Sequence, residues 1–483
     1  MFFVIRFNIV VVVLIFNVAV ITARPNILLI IVDDLRTTLG CYDDVNAYTP
    51  NIDALAEDGI VFTEAFAQFS LPNIYIYIYI YKKRMIILQQ ALCAPSRNSF
   101  LTGRRPDTLR LYDFYSYWRD AVGNYTTLPE HLKNNGYTTM SIGKVFHPEY
   151  HPIRKFKMPK RYIWPDNIND VAYNPWTDLR WRKDVAKLKL KFPWERIPER
   201  FAKQIIQSYY AAVSYIDNMI GKLIRQLHVS MIRENTIVIL TSDHGWALGE
   251  HAVWSKYSNF DVAVHVPLII IGYVRKHKRT FFETYVQRRH NKSMRSNALH
   301  SKKHCRVTNA IVELVDIFPT IADLANVPIP ICQVINSTND HLKNILTRNE
   351  VPNPCSEGIT LLPLIKSTLQ CQSIPWKKAA FSQYPRPEIQ PMLHPNSDKP
   401  RLKEINIMGY TLKTNDYRYT VWIPFAYMTY KPDWDVIIAE ELYDHKTDRA
   451  EDFNIAALPE MLKTKKYLRV LLKEGWRNAL PKY

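Results

Sequence analysis

The sequence predicts an α/β fold: a large, mainly parallel sheet flanked by helices, with a smaller strand-rich unit at the C-terminal end. Three observations carry this expectation. The runs Pro25 to Val32 and Thr236 to Ser242 are rich in Ile, Val and Leu and lack polar alternation, as strands covered on both faces require. Helical stretches lie between such runs; in Gln207 to Leu227 the residues Tyr210, Val213, Ile216, Ile220 and Ile224 recur at helical spacing. From about Ser367 onward the pattern turns aromatic and strand-like, broken by prolines. At 483 residues the chain could form two or three average domains, although one large α/β unit can absorb most of it.

Taken in chain order, the N-terminus carries Arg6, an apolar stretch from Ile9 to Ile21, and a small residue at Ala23 ahead of Arg24-Pro25. Its uninterrupted apolar core is short, so residues 1–23 read as a signal peptide rather than a membrane anchor. The mature chain is expected in the secretory or lysosomal route, without stable membrane insertion. Acceptors of the form Asn-x-Ser/Thr at Asn124, Asn291 and Asn336 fit glycosylation in that lumen.

The first apolar run stops at Asp33-Asp34, and the second stops at Asp243-His244-Gly245. Open α/β sheets gather ligands at the carboxyl ends of their strands, where both groups fall. Aspartates also cap helices and open turns, so neither group alone defines a site. Together their three carboxylates offer hard oxygen ligands. Without a thiolate cluster or several imidazoles, such a set suits calcium better than zinc.

Cys93-Ala94-Pro95-Ser96-Arg97, followed by Leu101-Thr102-Gly103-Arg104, is the most specific string in the chain. A lone cysteine in an exported protein usually belongs to a disulfide, but this string resembles the signature of the sulfatase family. The resemblance implies that a formylglycine-generating enzyme reads the Cys-x-Pro-x-Arg core and oxidises Cys93 to formylglycine. The hydrated aldehyde then supplies the nucleophile toward sulfur. It further implies one calcium ion held by Asp33, Asp34, Asp243, His244 and the modified Cys93, although many family members have an amide at the position of His244.

Gly143-Lys144-Val145-Phe146-His147-Pro148 matches the family's Lys-x-x-His element, after a short strand-like stretch from Tyr137 to Ile142. By the resemblance Lys144 binds sulfate, and His147 takes a diol proton so that sulfate is eliminated and the aldehyde returns, work that suits an imidazole. By the same resemblance Arg97 would face the diol, and Lys256 matches the family lysine that contacts the sulfate and the leaving oxygen.

Further matching blocks are Arg105-Pro106-Asp107, Ala172-Tyr173-Asn174-Pro175-Trp176, Ser382-Gln383-Tyr384-Pro385-Arg386-Pro387 and Glu441-Leu442-Tyr443-Asp444-His445. The last is a widespread sulfatase ending, and the others imply an exo-acting enzyme that removes the 2-sulfate of non-reducing-end iduronate in heparan sulfate and dermatan sulfate. Trp176, Trp246, Tyr257 and Lys399 are placed around the sugar and its carboxylate, and His151 stands as the remnant of a sulfate-binding histidine. Residues 24–366 are then the catalytic domain, and 367–483 a C-terminal subdomain with an antiparallel sheet. The six cysteines are Cys41, Cys93, Cys305, Cys332, Cys355 and Cys371. Cys332 and Cys355 match a family disulfide. With Cys93 set aside an odd number remains, and Cys41 reads as a buried free thiol.

Composition agrees. A net charge of +18, from 63 basic and 45 acidic residues, favours a polyanionic partner. Nucleic acid is the rival polyanion, but zinc-finger spacing and aromatic RNA-binding signatures are missing from the sequence. Glu283 to His304 is polar and basic and reads as a solvated loop.

Two departures from the family pattern bear on activity. Residues 69–89 form a low-complexity insert containing Ile74-Tyr75-Ile76-Tyr77-Ile78-Tyr79-Ile80-Tyr81, which has strong strand propensity and no polar face. Between His147 and Tyr173 the chain is shorter than the family pattern. A catalytically impaired, secreted glycosaminoglycan-binding relative is therefore the alternative to an active sulfatase. A phosphatase or phosphodiesterase of the wider superfamily is a third reading, disfavoured because those enzymes normally place Ser or Thr at the nucleophile.

Overall fold

The computed structural model describes residues 24–68, 93–113, 116, 125–140, 166–174, 183–191, 195–272, 306–330, 356–394 and 397–481. Its main sheet contains β1 (Asn26–Val32), β2 (Gly59–Phe66), β3 (Thr236–Ser242), β6 (His265–Ile271), β7 (Val307–Thr308) and β8 (Val312–Glu313). A two-stranded hairpin, β4 (Ala247–Leu248) and β5 (Trp254–Ser255), lies between β3 and β6 in sequence.

The main sheet has the order β1-β3-β6-β2-β7, with β8 also beside β2. The pairs β1–β3, β2–β7 and β2–β8 are parallel, whereas β6 runs antiparallel to both β3 and β2. The sheet expected to be mainly parallel is thus a mixed one. Strand β6 reads His-Val-Pro-Leu-Ile-Ile-Ile and is buried from Val266 onward, and an apolar run covered on both faces gives no cue to direction.

Alternation within the strands divides the interior in two. Ile237 and Ile239 of β3 face a core with Phe100, Leu101, Phe318, Ile321, Leu364 and Ile365, whereas Val238 and Leu240 face Val213, Ile220 and Ile224. The first core packs the helices Cys93–Thr102, Ile317–Leu324 and Leu362–Leu369 on one side of the sheet. The long helix Glu199–Val229, which extends the expected Gln207–Leu227 stretch, covers the other. It meets the helix Pro50–Asp58 closely enough that a Cβ at Gly221 would stand 2.2 Å from Asn51 Oδ1. There Asp217 accepts hydrogen bonds from the Asn51 and Ile52 amides, satisfying helix-end donors that have no partner within their own helix.

The C-terminal sheet is β9 (Ala380–Arg386), β10 (Ile407–Lys413), β11 (Tyr417–Ala426), β12 (Lys431–Pro432) and β13 (Ala439–Asp444), antiparallel at every pairing. Its core includes Met408, Leu412, Tyr419, Val421 and Leu442, closed by Leu468, Leu471 and Leu472 of the helix Leu462–Glu474. Position 367, where the sequence pattern changes, falls inside the helix Leu362–Leu369, whose Leu364 and Ile365 belong to the main core. A buried ionic cluster joins the units. Arg105 pairs with Glu313, and Lys377, just ahead of β9, donates to Glu313 and Asp316.

Candidate active site

Because Val32 pairs with Ser242 at the last register position, β1 and β3 end level. Asp33-Asp34 and Asp243-His244 therefore leave the sheet side by side, and one ligand atom from each lies within 4.8 Å of all the others. Asp243 and His244 form a fully buried floor, whereas the Asp33 and Asp34 side chains are 41% and 30% exposed. The Ser242 hydroxyl fastens the two strand ends together. It donates to the Val32 and His244 carbonyls, as alternatives for its one proton, and accepts from the Leu35 amide at 2.9 Å.

The helix Cys93–Thr102 is anchored to this edge by two side chains. Ser96 Oγ donates to the Asp243 carbonyl at 2.6 Å. Arg97 Nε donates to Asp243 Oδ2 at 2.8 Å, and Nη2 to Asp33 Oδ1 at 3.2 Å. Arg97 is one helical turn after Cys93, so the two positions share a helix face. The Cys93 backbone opens the helix, while its side chain lies outside the described residues.

Lys256 closes the site from the turn that directly follows β5. Its ammonium donates to Asp34 Oδ1 and approaches His244 Nε2 at 2.9 Å, 5.6 Å from the centre of the Trp246 ring. His244 Nδ1 lies 3.1 Å from the Gly245 carbonyl, an acceptor only, which assigns the ring proton to Nδ1 and leaves the Nε2 lone pair facing the cluster. Burial holds this imidazole below its usual range, opposed by Asp243 and reinforced by Lys256. Two fixed cations, Arg97 and Lys256, thus flank three carboxylates and a neutral imidazole.

Of the remaining expected residues, Tyr257 is buried at 1% exposure among Val171, Tyr384, Ile407 and Trp422. Lys399 is half-buried in a loop tied to Tyr384 through the Asp398 carbonyl and to Asn174 through Ser397. Lys144, His147, His151, Trp176, Cys332, Cys355, Asn124, Asn291, Asn336 and the insert 69–89 lie outside the described residues. Cys41 is a free thiol, half-buried, and Cys371 is disulfide-bonded. The Tyr137–Met140 stretch enters no strand, and residues 141 and 142 lie outside the described residues. A second acidic group, Asp261, His445 and Glu451, is an ion-pair network closed by Arg418 on Glu451 and His265 on Asp261.

Sequence reasoning missed several supports. Ser96 and Ser242 stand inside the recognised strings, yet serine is common in turns and gives no signal alone. Arg386 donates to the carbonyls of Val171, Ala172 and Tyr257 and so joins three segments beside the site. Arg36 pairs with Glu250 at 2.6 Å and donates to the Trp246 carbonyl, tying the loop after β1 to the loop after β3.

The donor set fits a hard divalent cation. Oxygen ligands at 2.3–2.6 Å from an ion stand up to roughly 5 Å apart across it, the span of this cluster. A model of the family described as Sulfatase matches residues 149–327. Human iduronate 2-sulfatase is 36% identical over 539 aligned residues, covering 90% of this chain and 91% of that protein. The alignment is longer than the 483-residue chain, so it opens gaps in this chain. Among solved structures, a putative sulfatase from Bacteroides thetaiotaomicron superposes with a TM-score of 0.54 at 18% identity, over 93% of this chain and 92% of that one. The phosphonate monoester hydrolase of Agrobacterium radiobacter reaches 0.51 at 17% identity, over 93% and 95%. These likenesses establish the fold and leave the ester open.

The fold is that of the sulfatase structures, with an acidic cluster and two flanking cations at its strand ends. The end-to-end identity is more specific: the chain belongs to the sulfatase family, as a sulfuric ester hydrolase similar along nearly its whole length to iduronate 2-sulfatase.

Proposed function

We propose that this chain is an exo-sulfatase that removes the 2-sulfate of non-reducing-end iduronate from heparan sulfate and dermatan sulfate, in the lysosome or after secretion. The observation that carries this reading is the convergence of Asp33, Asp34, Asp243 and His244 with Arg97 and Lys256 at the start of the helix that Cys93 opens. Cys93, converted to formylglycine, is the nucleophile. Asp33, Asp34, Asp243 and His244 would hold one calcium ion, which when bound neutralises sulfate oxygens and acidifies the attacking hydroxyl.

Arg97 keeps Asp33 and Asp243 aimed at that ion and adds positive charge beside the nucleophile. Lys256, on Asp34, is poised toward the sulfate and the departing sugar oxygen. Lys144 binds sulfate, and His147 removes the proton that releases it. Trp176, Trp246, Tyr257, Lys399 and His151 shape the sugar subsite. The +18 charge steers a polyanionic chain toward the protein.

A second reading rests on the gaps against the human relative and on the Ile/Tyr insert ahead of Cys93: a glycosaminoglycan-binding relative without turnover. Peptide mass spectrometry around Cys93, paired with sulfate release from a 2-sulfated iduronide, separates the two. Formylglycine with release that Cys93→Ala abolishes supports the enzyme. Unmodified cysteine in a folded, inactive protein that retains heparin supports the binding relative.

A further inference from the structure

Asp34 has φ 63°, a left-handed backbone that costs a residue with a Cβ of order 1 kcal/mol or more unless its surroundings hold it. The conformation turns the chain sharply between Asp33 and Leu35, which lets two consecutive carboxylates reach one cluster instead of opposite faces. A single hydroxyl brackets it. Tyr209 Oη, from the long helix on the other side of the loop, donates to the Asp34 carbonyl at 2.8 Å and accepts from the Arg36 amide at 2.9 Å. One phenol thus satisfies the carbonyl of the strained residue and the second amide beyond it.

We infer that Tyr209 is a positioning residue for the metal site: by holding the Asp34 turn in its left-handed form, it aims the Asp34 carboxylate into the cluster. The ring is half-buried against the core that contains Leu35, Leu39 and Val213, so the hydroxyl arrives from a fixed direction. Tyr210, next along the helix, is the natural contrast. Its hydroxyl donates to Asp44 Oδ2 at 2.7 Å and does not touch the Asp34 turn.

The inference rests on the proposed metal reading. The test is calcium titration of the metal-stripped full chain by calorimetry, for the wild type, Tyr209→Phe and Tyr210→Phe, with melting temperatures taken metal-free and calcium-saturated. The expected result is calcium affinity weakened about 10-fold in Tyr209→Phe and unchanged in Tyr210→Phe, as for loss of a group that orients a ligand. The calcium-induced rise in melting temperature should shrink by the matching amount. A folded Tyr209→Phe that binds calcium like the wild type overturns the inference and leaves the metal reading standing. Equal weakening by both variants assigns the effect to general helix packing and overturns it as well. No calcium binding by the wild type overturns the metal reading and the inference together.

Discussion

Arg97 and Asp243 form an ion pair that water does not reach: Nε and Oδ2 stand 2.8 Å apart, with side-chain exposures of 1% and 0%. The pair links the helix opened by Cys93 to the end of β3, so it fixes that helix relative to the acidic cluster. Removing one partner leaves the other charged and buried. Arg97→Ala is expected to cost about 3–5 kcal/mol of stability and to abolish sulfate release. Arg97→Lys should recover part of the stability but little activity, because a compact ammonium lacks the fixed spacing with which the guanidinium Nε and Nη2 reach Asp243 and Asp33. Urea unfolding together with turnover checks both; an active Arg97→Lys enzyme would show that charge alone suffices.

Removal of the metal should be visible without substrate. Three carboxylates within 4.8 Å repel one another, and Arg97 and Lys256 offset that repulsion only in part. Adding calcium at about 100 times its dissociation constant to the stripped protein should stabilise it by about 2.7 kcal/mol, read as a rise in melting temperature. Asp243→Ala should lose that rise. Equal rises in Asp243→Ala and wild type would place calcium elsewhere.

The cluster of Arg105, Glu313, Asp316 and Lys377 makes a contrasting prediction. Burial would raise the Glu313 carboxyl, but Arg105 and Lys377 hold it far below the usual carboxylate range. Lys377→Met strands buried negative charge between the main sheet and the C-terminal sheet, with an expected loss of about 3–5 kcal/mol. Lys377 touches none of the site residues described above, so the activity of the folded fraction at low temperature should match the wild type. A fall in that activity would mean that the subdomain junction transmits strain to the site.

Much of this architecture was legible because it is local. The runs ending at Asp33 and Asp243 announced strands, and the strand-end rule placed their carboxylates at one edge before any pairing was known. What the sequence could not reveal depends on contacts between distant segments. The antiparallel direction of β6 is hidden by its uniform apolar composition. Tyr209 lies beside Tyr210 in the helical pattern, and nothing local tells which of them reaches Asp34. Arg386 stands in a matching block, but nothing local tells that it is fully buried with its guanidinium on three backbone carbonyls. Polar residues that act through a remote backbone leave no periodic trace.

Acid favours one further, partly buried pair. His265 Nδ1 lies 3.1 Å from Asp261 Oδ2 and Nε2 lies 2.7 Å from the Thr63 carbonyl, so only the doubly protonated ring satisfies both acceptors. Phe66 stacks on the ring at 5.0 Å, Glu64 adds negative charge, and Lys413 of β10 and His445, just after β13, act on Asp261. Burial would lower the imidazole, but Asp261 and Glu64 outweigh it and raise it above its ordinary 6.5. Asp261 is held far below the carboxylate range, so it stays ionised throughout. A raised folded value contributes stability that is complete below 6.5 and disappears as pH climbs through that value. The wild type should therefore be most stable in mild acid. His265→Gln should melt lower there, by a margin that narrows as pH rises, with a limiting slope of about 1.4 kcal/mol per pH unit. Melting curves between about pH 5 and pH 9 decide it; a margin constant across that range would mean that His265 contributes packing and not charge.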